Sequence, residues 1–405
     1  MIPKFVRKKF AGVQQPLGRW ILRHIAEFIV LSPAILVTWL WLILRRKEIL
    51  VVGKLSNTIS VFISVLEPEL RRRLREQSGL ERTIVLNLSS DANSQVRNFY
   101  DEIVQFFGEE QSFRRRVLWW TSKFGLTSGN SVEHMLSDPT WQRDKPSISF
   151  SNQIQVEGVR FLQSLQVSMD QPIICYATRS NSYYEKQRSL GFSQKSQTIR
   201  NPNEAVYLDV CNYFAVEGFR VFRMGKYLDK EVRTQSEHVF DYASNYRTDL
   251  LDVFLLHHCK FLLNGATGIF WFRALFNKPS AHADIYDIRV NYFKQDLFAV
   301  QRVWLEREDR FATFKEMLLM PGYSEEKHQE RLGVRLEKNT VEEIKAVCDE
   351  MNARIDGTWV TTEEDEELQR RYQELIVKYS NKPEWNGGGR IGAQFLRDNQ
   401  DLLRE

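Results

Sequence analysis

Net charge, cysteine and histidine are all scarce in this chain of 405 residues. Lysine and arginine number 56 and the acids 52, a net charge of +4. So small an excess argues against a dedicated nucleic-acid binder, and no helix shows a basic face interleaved with aromatics. The four cysteines, Cys175, Cys211, Cys259 and Cys348, lie far apart. Their spacing offers neither a zinc site nor a disulfide framework. They read as small buried hydrophobes in a reducing compartment. Among the seven histidines no HxxxH pair occurs. His257 and His258 are adjacent, so they point to different helix faces and cannot chelate together. His238 and His282 are isolated, and neither a metal nor a cofactor is expected. Neither a Gly-x-Ser-x-Gly elbow nor a Walker lysine motif occurs.

Apolar residues make up 43% and charged residues 27%, so a packed core is within reach. The length predicts two or three domains. The basic charge is unevenly placed. Lys4, Arg7, Lys8, Lys9, Arg19 and Arg23 precede the apolar run FIVLSPAILVTWLWLIL at 28–44, and Arg45, Arg46 and Lys47 follow it. A spanning helix needs ~20 apolar residues. This run falls slightly short and carries Pro33, with Glu27 beside it. No small-residue cleavage site follows it, so it is no signal peptide. The basic flanks and Trp20, Trp39 and Trp41 suit a helix in or under one leaflet. The bland alternative is a core helix at the base of a domain. Residues 1–47 are read as a membrane-associated segment.

From 48 to 150 strands and helices alternate, which predicts a parallel α/β sheet. Ile49 to Val52 reads as a strand, then Gly53, then a helix capped by Ser56 and ending near Gln77. Arg82 to Ser89 is the next buried strand, NSQVRNFYDEIVQFF an amphipathic helix, and Arg116 to Trp120 a third strand. Asp91, after the second strand, is a candidate general base or, more simply, an Asx-turn residue. Residues 137–147 form the exit linker. The second unit, 151–320, alternates in the same way. It runs through a helix at 151–166, strands at 172–180 and 219–225, a helix at 203–218, a weaker strand at 238–243, a helix at 250–258 and a strand at 261–264. The tail, 321–405, is helical, with capping boxes at Thr340-x-x-Glu343 and Thr361-x-x-Glu364. The acidic run Glu363 to Glu367 favours a helix N-terminus and needs no catalytic role. NGGGR at 386–390 is a loop with no strand before it, a weak phosphate cradle.

In open α/β sheets ligands bind beyond the carboxyl ends of the strands. Those ends in the second unit carry Arg179, then Arg223-Met224-Gly225, then Asn264-Gly265-Ala266-Thr267-Gly268. A turn of small residues between a buried strand and a helix presents its backbone amides as an anion site. The alternative is a tight turn that needs glycine for positive φ. Arginine suits bidentate phosphate contact. Arg179 is the candidate ligand, otherwise a surface arginine paired with Glu185. Arg223 is a second phosphate ligand or the partner of Asp229.

The same residues resemble a family of bacterial glycosyltransferases related in fold to the fucosyltransferase-type GT-B enzymes. The matching positions are Thr178-Arg179-Ser180, Arg200-Asn201, Phe222-Arg223-Met224-Gly225, Asp252-Val253-Phe254-Leu255, Cys259-Lys260-Phe261 and Asn264-Gly265-Ala266-Thr267-Gly268-Ile269. LNLSSDANSQV, the Glu-rich tail helices and RIGAQFLRDN near the end also look similar. Ser180 stands where the family has an acid, Asn264-Gly265 where it has Gly-Thr, and Thr267 where it has Ser. The resemblance implies two Rossmann-like domains across a cleft, the first on the acceptor side and the second binding a nucleotide sugar. It implies a metal-independent, inverting transfer of a hexose-like sugar to a glycan or glycolipid acceptor of surface polysaccharide assembly, at the cytoplasmic face of the inner membrane. Arg179 would neutralise the leaving diphosphate. Asn201, Arg223, Met224, Gly225, Asp252 and 264–268 would line the donor site, and the last tail helix would pack on the first domain. The rival readings are a catalytically inactive nucleotide-sugar-binding or scaffold protein and a GT-B-type sugar-nucleotide epimerase.

Overall fold

The structure is a computed structural model. It describes residues 17–52, 58–77, 79–87, 92–107, 112–124, 127–128, 142–189, 198–228, 230–289, 293–380 and 388–405. In the first unit the order is α1 (Leu17–Leu44), β1 (Glu48–Val52), α2 (Ile59–Arg75), β2 (Thr83–Asn87), α3 (Ser94–Asp101), β3 (Gln105–Phe107), α4 (Ser112–Thr121) and β4 (Thr127–Ser128). These four strands form a parallel sheet in the order β3-β2-β1-β4. All of β2 is buried, as expected for a parallel strand covered on both faces.

Two elements depart from the sequence reading. Arg116 to Trp120 is not a strand but lies in α4, and the third strand is Gln105–Phe107. A run of five apolar residues fits either structure, and tertiary partners decide. Here Val117 joins Leu31 and Ile35 of α1 in one buried cluster, and Leu118 joins Leu42 and Leu86 in another. The helix at 94 meanwhile stops at Asp101, which frees Phe106 and Phe107 for the sheet. Thr58 is the N-cap of α2, while Ser56 and Asp91 lie outside the described residues.

The second unit continues with α5 (Asn152–Ser164), β5 (Ile173–Thr178), α6 (Asn181–Ser189), α7 (Glu204–Val216), β6 (Arg220–Met224), β7 (Val239–Phe240), α8 (Tyr242–Asn245), α9 (Asp249–His258), β8 (Phe261–Gly265), α10 (Trp271–Leu275), β9 (Ser280–Ile285) and β10 (Leu297–Val300). Then come β11 (Arg302–Leu305), β12 (Arg310–Phe311), α11 (Phe314–Leu319), α12 (Glu326–Leu332), β13 (Val334–Glu337), α13 (Val341–Ile355), α14 (Glu363–Tyr379), β14 (Arg390–Ile391) and α15 (Ala393–Asp398). The main sheet is parallel, in the order β14-β10-β9-β8-β5-β6-β7. From β5 the chain steps outward through β6 to β7, then returns to the other side of β5 and runs outward again through β8, β9 and β10. That is the doubly wound order, and its reversal point lies between β5 and β8.

Part of the tail joins this sheet through β14. Strand β13 pairs antiparallel with β11 in a separate three-stranded sheet, β12-β11-β13, so strand pairing runs across position 320. Arg390, read as loop, starts β14 at the sheet edge. Phe395, Leu396 and Leu402 share one buried cluster with Ile174, Leu263 and Phe298, so among the described residues the last helix packs on the second sheet. The Thr340 capping box is present, and the second box is one residue on from the expected place, at Thr362 and Asp365. All four cysteines are buried and free.

The two sheets do not have separate cores. Leu50, Phe62 and Val85 of the first share one buried cluster with Cys175, Phe222 and Leu262 of the second. A buried ion pair within α2 is bonded across the same boundary. Arg71 of α2 bonds Glu67 at 2.6 Å, Asn277 Oδ1 at 2.6 Å and the Leu275 carbonyl at 2.8 Å. Glu67 accepts from Ser147 N at 2.8 Å and from the Tyr100 hydroxyl at 3.0 Å. Ser147, at the end of the linker, is therefore held at this boundary.

One pH dependence follows from packing on α9. His257 stacks on Phe150 with ring centroids 4.2 Å apart. Burial, aided by His258, Lys278 and Arg273, pushes its pKa down to about 4 from the ordinary 6.5. The unfolded chain therefore binds this proton first, and stability falls as pH drops through 6.5 towards 4. In His257→Gln the denaturation midpoint should change less between pH 7 and pH 5 than in wild type. Equal slopes would remove His257 from the acid response.

Candidate functional site

The strand-order reversal brings together residues more than 80 positions apart in the chain. Ala177 pairs with Asn264, and Thr178 with Gly265. Arg179 leaves β5 directly beside the 264–268 turn, and its side chain is half-buried. The turn conformation differs from the expectation that a glycine takes positive φ. The left-handed residue is Ala266, at φ 53°, a conformation uncommon for a residue with a Cβ.

The two glycines are required by close approach instead. A Cβ on Gly265 would lie 2.9 Å from the Tyr207 hydroxyl, and one on Gly268 3.0 Å from Ser60 Cβ and Oγ. Gly268 thus meets the first turn of α2, so the second sheet's turn touches the first unit. Gly268→Ala should destabilise the protein, and Ser60→Gly in the same chain should restore part of the loss, because coupled neighbours are non-additive. Additive effects in that double-mutant cycle would show that the two units do not meet here.

A buried chain of polar groups holds the turn. Thr267 Oγ1 donates to Asn264 Oδ1 at 2.6 Å and accepts from Ile269 N at 3.3 Å. Asn264 Nδ2 lies 3.0 Å from His282 Nδ1, and His282 Nε2 lies 3.1 Å from Asp296 Oδ2. With the amide donating to Nδ1, the imidazole carries its hydrogen on Nε2 and donates it in a hydrogen bond to the carboxylate. Asp296 also takes the amides of Ser280 and Phe293. Beyond the turn only a short 3₁₀ segment, Gly268–Phe270, and the five-residue α10 follow. The expected helix N-terminus is therefore weak, since a macrodipole needs aligned turns.

A second cation reaches the turn. Arg200 Nη2 bonds the Ala266 carbonyl at 3.0 Å, and its guanidinium lies 4.7 Å from the Tyr286 ring centroid. The adjoining Asn201 is half-buried and donates to Asn181 at 2.9 Å.

Other expected site residues are engaged elsewhere. Arg223 is buried, 3.0 Å from Glu204 and 3.3 Å from Asp241. Two carboxylates already balance its charge, so it ties β6 to α7 and α8 rather than presenting itself to a phosphate. Asp229, its expected partner, lies outside the described residues. Met224 is in the core, and Gly225 follows it at the strand end. Asp252 is buried, receiving the Tyr242 hydroxyl at 3.0 Å and Arg247 Nη2 at 2.7 Å. Burial raises its pKa to about 6 despite Arg247 and Tyr242. It braces the start of α9. Asp249 beside it carries the contact with the first unit, accepting from Ser94 N at 2.8 Å and Ser94 Oγ at 2.9 Å.

Sequence reasoning did not single out Glu204, His282 or Asp296. Their side-chain partners lie 14 or more residues away in the chain, and no local motif marks them.

No family model and no curated protein matches the chain. Among solved structures it is similar to the ADP-heptose lps heptosyltransferase II of E. coli, at 12% identity and TM-score 0.39, over 58% of this chain and 84% of that one. It is also similar to a glycosyl transferase family 9 protein from Veillonella parvula, at 10% identity and TM-score 0.37, over 58% of this chain and 80% of that one.

Proposed function

We propose that this protein is a metal-independent glycosyltransferase of GT-B type, taking a nucleotide-sugar donor and a lipid-linked glycan acceptor at the cytoplasmic face of the inner membrane. The observation that carries the reading is the β5–β8 pairing, which sets Arg179 beside the 264–268 turn at the reversal of strand order. Nucleotides bind at such points. The family resemblance along β5, β6, α9 and β8 points to sugar transfer rather than to other nucleotide chemistry.

In this reading the donor diphosphate lies between Arg179 and the amides of Thr267 and Gly268. An acceptor hydroxyl attacks the anomeric carbon and releases its proton to solvent, and the carbon–oxygen bond to the diphosphate breaks with inversion. The electron pair goes to the phosphate oxygen, where a fixed cation stabilises it. Arg200 holds the Ala266 carbonyl, so it positions the turn.

The test is a melting screen of the full chain against a panel of nucleotide sugars, followed by assay of transfer. A ligand that binds only the folded state raises its melting temperature. One donor should do so and lose its sugar to an acceptor lipid. Binding without transfer or hydrolysis would favour the inactive binder. Absence of any shift across the panel would reject the donor site.

A further inference from the structure

Helix α1 has two apolar faces, and among the described residues only one has a partner. Phe28, Leu31 and Ile35 lie on α4, with Phe28 5.2 Å from the Trp120 ring and Leu31 and Ile35 packed on Val117. Near the other end Leu42 is buried with Ile49 and Ile84 of the sheet. An ion pair from Glu27 to Arg116 closes the same side. On the opposite side every exposed residue from Ile25 to Leu44 is apolar. Val30, Val37 and Leu44 follow at intervals of seven and are 75%, 66% and 81% exposed. Cations bound this stripe: Arg23 before it, Arg45 and Arg46 after it, and Arg114 on the adjoining α4 beside the exposed Phe113.

We infer that α1 lies in the plane of a membrane surface, docked on its own protein, and does not span the bilayer. The deduction rests on the membrane part of the proposed function and not on the donor site. The stretch Ile21–Leu44 is long and apolar enough to cross by itself. Crossing would strip it from α4 along its length, uncover Val117 and Leu118, and break the Glu27–Arg116 pair. Lying flat preserves all of these contacts and buries the outer stripe among the acyl chains. A stripe with no polar side chain for over five helical turns suits lipid rather than a protein partner, whose interface would carry hydrogen bonds. The flanking arginines match anionic headgroups.

The probes are sealed vesicles of phosphatidylcholine with and without phosphatidylglycerol, incubated with the full chain. Binding should be stronger with the anionic lipid. Val30→Asp with Val37→Asp should lower it by about tenfold or more without changing the melting temperature, since both side chains face outward. Because the native cysteines are buried, Arg23→Cys and Arg45→Cys can be labelled selectively with a membrane-impermeant maleimide. In-plane docking exposes both to the outside. Protection of one of the two would mean that the helix spans. Unchanged vesicle binding by the folded double-aspartate variant, or no binding by wild type, would mean that the face serves a protein or a second copy. Nucleotide-dependent melting is unaffected by these outcomes, so failure here and failure of the donor site are distinguishable.

Discussion

Arg179→Ala is expected to melt close to wild type and to transfer sugar about a hundred- to ten-thousandfold more slowly. Arg179 follows β5 at the β5–β8 reversal, half-buried and outside the apolar clusters that make the core. Its removal opens no core cavity. Its proposed partner is the diphosphate, whose charge grows as the glycosidic bond breaks. A contact that strengthens in the transition state lowers turnover and not merely affinity. Each charge-assisted hydrogen bond contributes ~1.5–3 kcal/mol, and a two-pronged contact has two. Arg179→Lys keeps the charge and loses the fork, so it should fall nearly as far. The assay is the initial rate with the donor found in the melting screen, with a melting curve beside it. Wild-type turnover in Arg179→Ala would make this a surface arginine and remove the centre of the proposed site.

Arg71→Ala should give the largest loss of stability, about 3–5 kcal/mol. Arg71 and Glu67 are both 0% exposed. Removing the arginine leaves a carboxylate in the core with, among the described residues, the Tyr100 hydroxyl and Ser147 to solvate it. It also leaves the carbonyls of Ala274 and Leu275 without the cation that caps the end of α10. Because these partners belong to both sheets, the loss should appear in one cooperative transition that includes the second sheet. Replacing the pair together, Glu67→Leu with Arg71→Met, should cost much less, since a well-packed apolar pair needs no desolvation. Denaturant unfolding of the three proteins checks this. A single variant within about 0.5 kcal/mol of wild type would show that the pair does not join the sheets.

Much of the second sheet was legible from sequence because its signals are local. Ser151, Asn203 and Thr248 cap the helices that follow them, Gly218 ends α7 with φ 92°, and β5 and β8 are unbroken buried runs. The proximity of Arg179 to the 264–268 turn follows from strand order, which no local pattern states. The first sheet was read less well. Its third strand is three residues long, too short for a period, and the stronger apolar run at 116–120 belongs to a helix whose partner is α1. The surroundings of Arg223 were hidden for a related reason. A strand-end arginine fits a phosphate ligand, and only the fold reveals that Glu204 and Asp241 converge on it. The chain from Thr267 to Asp296 was invisible because an isolated histidine has no sequence partner until β8 and β9 pair.

The most direct measurement of the central claim is a crystal structure of the full chain with its nucleoside diphosphate bound. The account predicts phosphate oxygens within hydrogen-bond distance of Arg179 and of the Thr267 or Gly268 amide, beyond the ends of β5 and β8. A diphosphate bound elsewhere, with Arg179 making no contact to it, would contradict the account.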